Sequence, residues 1–136
     1  MKTTYIYPAV FELEEDGGYS VYFPDIPGCY TDGNSLEEAM DMAEDALCLM
    51  LYHMEEEHQE IPKASDIQKV KMKVGDRTFV SLIKCDTLNY RKFYNNKAVR
   101  KSLTVPGWLN DLAEAENINF SSVLQNALAN QLGVTL

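Results

Sequence analysis

The sequence predicts an α+β chain in two parts, an antiparallel sheet with a helix on one face followed by a smaller strand-helix-helix unit. Three observations carry this. Short aromatic and β-branched runs separated by Gly and Pro turns occupy the first third. A single long stretch of helical periodicity follows them. The charge then changes character: residues 1–85 hold seven Lys/Arg against seventeen Asp/Glu, whereas residues 86–136 hold five against four. An acidic part joined to a basic stretch points to two partners of different electrostatics.

Tyr5 to Leu13 reads as a strand, Gly17-Gly18 as a turn, and Tyr19 to Phe23 as its hairpin partner. The loop Phe23-Pro24-Asp25-Ile26-Pro27-Gly28-Cys29-Tyr30 leads into a third short strand, closed by Asp32-Gly33. Ser35-Leu36-Glu37-Glu38 is a capping box, in which the Ser35 hydroxyl accepts from the Glu38 amide. From Leu36 through Ala39, Met40, Ala43, Leu47, Met50, Leu51 and Met54, apolar residues recur every three or four positions. They predict an amphipathic helix to about Glu56, with Glu37, Asp41, Glu44, Asp45 and Glu55 on its other face. Ile61-Pro62 ends it. The alternation of Lys69–Val74 predicts an edge strand guarded by lysines, and Thr78 to Cys85 a further strand after a Gly75-Asp76 turn.

Several chemistries lack their sequence signature. Metal-dependent nuclease chemistry needs clustered carboxylates, and the first strand, Tyr5 to Phe11, has none. Asp25 sits in a Pro-rich loop, where a carboxylate fixes the turn. His53 and His58 are five apart, not the four that puts two ligands on one helical face. Cys29, Cys48 and Cys85 are odd in number and form no CxxC pair. The expectation is no enzyme, no metal and no cofactor. The apolar stretch after Lys2 is broken by Pro8 and followed by acids, which speaks against a signal peptide. No run reaches the roughly 18 residues of a membrane span, so a cytoplasmic protein without membrane contact is expected. The run Glu55-Glu56-Glu57 with Glu60 reads as a solvated helix end or as an attractant for a basic partner.

The segment Phe23–Cys29, followed by Gly33-Asn34-Ser35-Leu36-Glu37-Glu38-Ala39, closely resembles the signature of HicB antitoxins, in which a hairpin, a PD-(I/L)-PG loop and a helix opened by (S/T)-L-x-E-A follow in that order. The resemblance covers residues 5–85. It implies a partial RNase H-like fold, a sheet with helices on one face, and a surface for a HicA-type toxin, with Phe23, Asp25, Ile26, Pro27 and Tyr30 as candidate contacts.

In the remainder, residues 87–97 read as a linker between a domain at 1–86 and one at 98–136. Val99 to Val105 alternates, with Val99, Leu103 and Val105 on one face, Lys101 intruding, and Arg100, Ser102 and Thr104 on the other. Pro106 suits a helix start, and Trp108, Leu109, Leu112 and Ala113 form its apolar stripe. Asn119 caps a second helix, Ile118 and Val123 can staple it, and Gly133 stops it. Such a unit is below the ~40 residues at which one core suffices, and a lone strand leaves its ladder unpaired. Two copies that pair their strands remove both problems. Residues 98–133 resemble the Arc/MetJ-type ribbon-helix-helix family. That resemblance implies a homodimer or higher assembly, with Arg100, Ser102 and Thr104 reading operator bases and Lys97, Lys101, Asn119 and Ser121 holding phosphates. A dimerisation tail without a DNA role is the competing reading, although no acid lies between Phe93 and Trp108.

Together these readings give an antitoxin that inhibits an mRNA ribonuclease and represses its own operon. The alternatives are a ligand-responsive ribbon-helix-helix regulator without a toxin partner, and an RNase H-like enzyme tethered to DNA.

Overall fold

The structure, a computed structural model, describes residues 2–136, which divide into two compact units at residues 2–96 and 97–136.

In the first unit, β1 (Thr4–Leu13), β2 (Tyr19–Tyr22) and β3 (Tyr30–Gly33) precede the long helix α1 (Leu36–Glu56), a short helix α2 (Ile67–Lys71), strand β4 (Thr78–Asp86) and helix α3 (Thr87–Tyr94). The sheet order is β3-β2-β1-β4 and every pairing is antiparallel. Side chains alternate across the pleat. Tyr5, Tyr7, Ala9 and Phe11 of β1 therefore share one face, and they form the core with Ala39, Ala43, Leu47 and Leu51 of α1. Pro8 and Val10 face the other way and are also buried. The short helix α2 packs against β4 and buries Val70.

The ladder explains why a proline is tolerated inside β1. Leu13 donates to the Arg77 carbonyl at 2.9 Å and Thr87 to the Thr3 carbonyl at 2.8 Å. With the continuous register of Thr4 opposite Asp86, odd-numbered residues of β1 and β4 bond each other and even-numbered residues of β1 face β2. Glu14 accordingly donates to the Gly18 carbonyl at 2.8 Å. Pro8, which lacks an N–H, thus faces away from β4, at a level that β2 has not reached because it ends at Tyr22.

Ser35 caps α1 as expected, accepting from the Glu38 amide at 3.1 Å. At Gly33 the sheet comes so close to α1 that an added Cβ would lie 2.7 Å from the Ala39 Cα.

Two sequence expectations are corrected. Lys69–Val74 is not an edge strand. Asp66 accepts from the Gln68 amide at 2.8 Å and starts α2, which buries Val70 and leaves Met72 in solvent. The six-residue alternation of lysine with apolar residues therefore does not report a pleat. Residues 87–97 are not mainly a linker either, since α3 covers Thr87–Tyr94. Asp86 caps it, accepting from the Leu88 amide at 2.9 Å. Its hold on α1 comes from polar and aromatic contacts, which leave no aliphatic periodicity to detect.

The second unit contains α4 (Gly107–Ala115) and α5 (Phe120–Leu132). Asn119 caps α5, accepting from the Ser122 amide at 3.0 Å, and Gly133 closes it with φ of 71°. Residues 97–106 form no strand. Their alternation is as read, but a strand needs a ladder partner, which one copy of this unit does not supply. Among the described residues, no helix is long and apolar enough to cross a membrane.

Candidate binding surfaces

The proline-rich loop is a compact turn held from within. Phe23 donates to the Cys29 carbonyl, Ile26 to that of Phe23, and Cys29 to that of Ile26, each at 3.1 Å. Gly28 takes φ of 79°, a conformation that L side chains rarely adopt. Phe23, Ile26 and Cys29 point into the core, and burial pushes the Cys29 thiol up to about 11. The expectation that Phe23 and Ile26 contact a partner is therefore corrected: they anchor the loop and offer no surface. Asp25 is half-buried; its carboxylate accepts from the Ser65 amide at 2.9 Å and from the Ser65 hydroxyl, fastening the loop to the chain before α2. Pro27 and Tyr30 remain exposed, Tyr30 at 75%.

The outer face of α1 presents Glu37, Asp41, Glu44 and Asp45 to solvent. Asp86, at the end of β4, lines a groove with Asp41 and Glu44. No three His, Cys, Asp or Glu side chains among the described residues are grouped so as to hold a metal ion.

At the far end of α1, Glu55 is the hub of a network that sequence reading missed. Its carboxylate accepts from the Tyr5 hydroxyl at 3.0 Å, the Thr87 hydroxyl at 2.9 Å and the Arg91 guanidinium at 3.2 Å. Arg91 also pairs with Glu56 and lies 4.7 Å from the centre of the Tyr52 ring. Burial, followed by the bond to Glu55, pushes Tyr5 up to about 12. Its acid neighbours hold Arg91 in its charged form against the opposing effect of burial. Arg91 thus belongs to the first unit and is withdrawn from the basic stretch. The available signal was an arginine 35 residues beyond an acid run, which is not specific without the topology.

Cys48 of α1 and Cys85 of β4 are both buried. The neighbouring Cys48 thiol, followed by burial, pushes Cys85 well above the usual thiol range.

In the second unit Lys97, Arg100, Lys101, Ser102 and Thr104 are all exposed, as are Asn119 and Ser121 at the start of α5. Among the described residues no ion pair involves Lys97, Arg100 or Lys101. The same unit exposes Val99, Leu103, Val105, Leu112 and Leu128, with Trp108 at 67%, and buries only Ala129 of its described residues.

Comparison with known proteins matches residues 7–128 to a family described as the HicB-like antitoxin of bacterial toxin-antitoxin systems. The chain is 30% identical over 135 residues to Antitoxin HicB 1 of Photorhabdus laumondii, spanning 96% of this chain and 86% of that one. Among solved structures it is similar to a toxin-antitoxin complex from Streptococcus pneumoniae, with TM-score 0.58, 26% identity, and coverage of 94% of this chain and 99% of that chain. It also shares the fold of the Burkholderia pseudomallei antitoxin HicB, with TM-score 0.54 at 16% identity over 94% of this chain and 98% of that one.

Proposed function

Because the chain belongs to the HicB-like antitoxin family, we propose that it binds and inhibits a HicA-type mRNA ribonuclease and represses its own operon by binding operator DNA. It does so as a non-enzymatic cytoplasmic protein. The observation that carries this reading is the separation of surfaces. The first unit turns the acids of α1 outward, while the second leaves three unpaired bases on an acid-free stretch. A ribonuclease must bind a polyanion, so its own site is basic and an acidic surface can cover it.

The second unit acts as the dimerisation and DNA-binding part. Support comes from its exposed apolar residues, which one copy leaves in water and a second copy would cover. Pairing residues 99–105 between copies would supply the missing ladder and project Arg100, Ser102 and Thr104 into one major groove. The α5 start at Asn119 and Ser121, with Lys97 and Lys101, would hold phosphates.

The test is co-expression with the open reading frame beside its gene, scored for rescue of growth and for a co-purifying complex. Rescue with a stoichiometric complex is expected. Failure of both, with the neighbouring protein toxic on its own, overturns the antitoxin role and favours a ligand-responsive regulator.

A further inference from the structure

Strand β4 is an edge of the sheet and is nine residues long, whereas the opposite edge, β3, has four. The register derived above turns odd-numbered residues of β4 toward β1. The amide and carbonyl groups of Val80, Leu82 and Lys84 therefore face outward, with no backbone partner among the described residues. Exposed edges are normally blunted by proline, a bulge, several charges or a covering element. Here the register is continuous, there is no proline, and Lys84 is the only charge between Thr78 and Cys85. The side chains along the edge invite contact: Leu82 is 51% exposed, and Ile6, on the same face of β1, is 50% exposed.

Beside this edge runs a groove of 510 Å³, with Met40, Asp41 and Glu44 of α1 on one wall and Leu82, Lys84 and Asp86 of β4 on the other. Three carboxylates against one ammonium make its potential negative. A strand laid along β4 would find backbone partners at the edge, an apolar contact at Leu82, and acids within reach of every second side chain.

We infer that the outer edge of β4 docks an extended segment of a basic protein partner, with lysine or arginine on alternate residues, by adding a strand to the sheet. This rests on the antitoxin reading, in which the toxin is that partner, and assigns its footprint to β4 and the adjoining face of α1.

Hydrogen exchange of the full chain, free and bound to the toxin, tests it at Val80, Leu82 and Lys84. Exchange at these three amides should slow at least tenfold in the complex. A complex that forms while they exchange unchanged overturns the inference and leaves the antitoxin role standing. Leu82→Pro removes the central outward amide and spares every bond to β1; it should weaken Kd at least tenfold. Should that variant misfold, Asp41→Lys with Glu44→Lys reverses the groove charge without touching the backbone, and unchanged affinity would count equally against the idea. If the wild-type chain binds no toxin at all, the antitoxin reading fails. A synthetic ten-residue peptide of alternating valine and lysine then decides the edge by itself: binding lost in Leu82→Pro is expected, and no binding overturns it. Protection of the same amides that rises with concentration in the free chain would mean that copies pair with one another, which also overturns it.

Discussion

Arg91 of α3 donates to Glu55 of α1 at 3.2 Å, and the same carboxylate accepts from Tyr5 on β1 and from Thr87 at the start of α3. One acid thus joins three elements and holds α3 on the first unit.

Replacing Glu55 by Ala should destabilise that unit by about 1–3 kcal/mol, because it removes the charged acceptor shared by Tyr5, Thr87 and Arg91, while the Thr87 hydroxyl keeps the Thr3 carbonyl at 3.1 Å. Arg91→Ala should cost less, at most about 1 kcal/mol, since its side chain is 31% exposed and solvent screens the pair. Urea unfolding measures both. Hydrogen exchange should show faster opening of α3 in each variant, and equal losses would mean that Glu55 acts only through the arginine.

The pH dependence on the alkaline side follows from Tyr5. Its folded-state value, about 12, lies above its ordinary 10.0. Folding therefore favours the protonated phenol, and this contribution is complete below pH 10 and lost as pH rises toward 12. Urea midpoints at pH 8, 10 and 11 should fall more steeply for the wild type than for Tyr5→Phe. Parallel curves would show that Tyr5 does not control the decline.

Ile26 and Tyr30 lie four residues apart and should behave as opposites. Ile26→Ala empties a fully buried site and should cost about 2–5 kcal/mol. Tyr30→Ala should leave the melting curve within about 0.5 kcal/mol of wild type; because Tyr30 stands on β3, the sheet edge opposite β4, a loss of toxin affinity in this variant would extend the contact beyond the β4 edge. Calorimetric titration of the folded variants separates the two effects.

Leu112 and Leu128 are exposed in the single chain. Leu112→Asp or Leu128→Asp should therefore leave the fold of the first unit intact and break the proposed dimer, since an unpaired charge in a dimer core costs several kcal/mol. Sedimentation should then show monomers. Unchanged dimers would locate the dimer interface elsewhere.

Arg100→Ala should cost about 1–3 kcal/mol on operator DNA and little on scrambled DNA, as for a lost base contact. Lys97→Ala should weaken both alike and flatten the salt dependence, as for a lost phosphate contact. Binding at two salt concentrations distinguishes them. Equal loss on both DNAs for Arg100→Ala would make it a phosphate contact, and no loss would remove the ribbon from the DNA interface. Growth rescue should survive both substitutions.

The sequence by itself determined the elements whose signals are local. The Ser35 and Asn119 caps, the stop at Gly133, the periodicity of α1 and the hairpin about Gly17-Gly18 each depend on residues within a few positions of one another. What failed depended on distant partners. Lys69–Val74 alternates as a strand would, yet Asp66 and the place available for Val70 beneath α2 make it helical. The stretch after Asp86 lacks an aliphatic stripe because Glu55, 32 residues before Thr87, supplies the hold instead. Phe23 and Ile26 belong to the most recognisable motif in the chain, but only the turn geometry shows that they face inward while Tyr30 faces out. The outward amides of β4 are likewise invisible in composition, because which edge of a strand is free is a property of sheet order and register. Local sequence determines which conformations a segment favours, whereas contacts between segments far apart in the chain select one of them and decide which side chains and backbone groups remain at the surface.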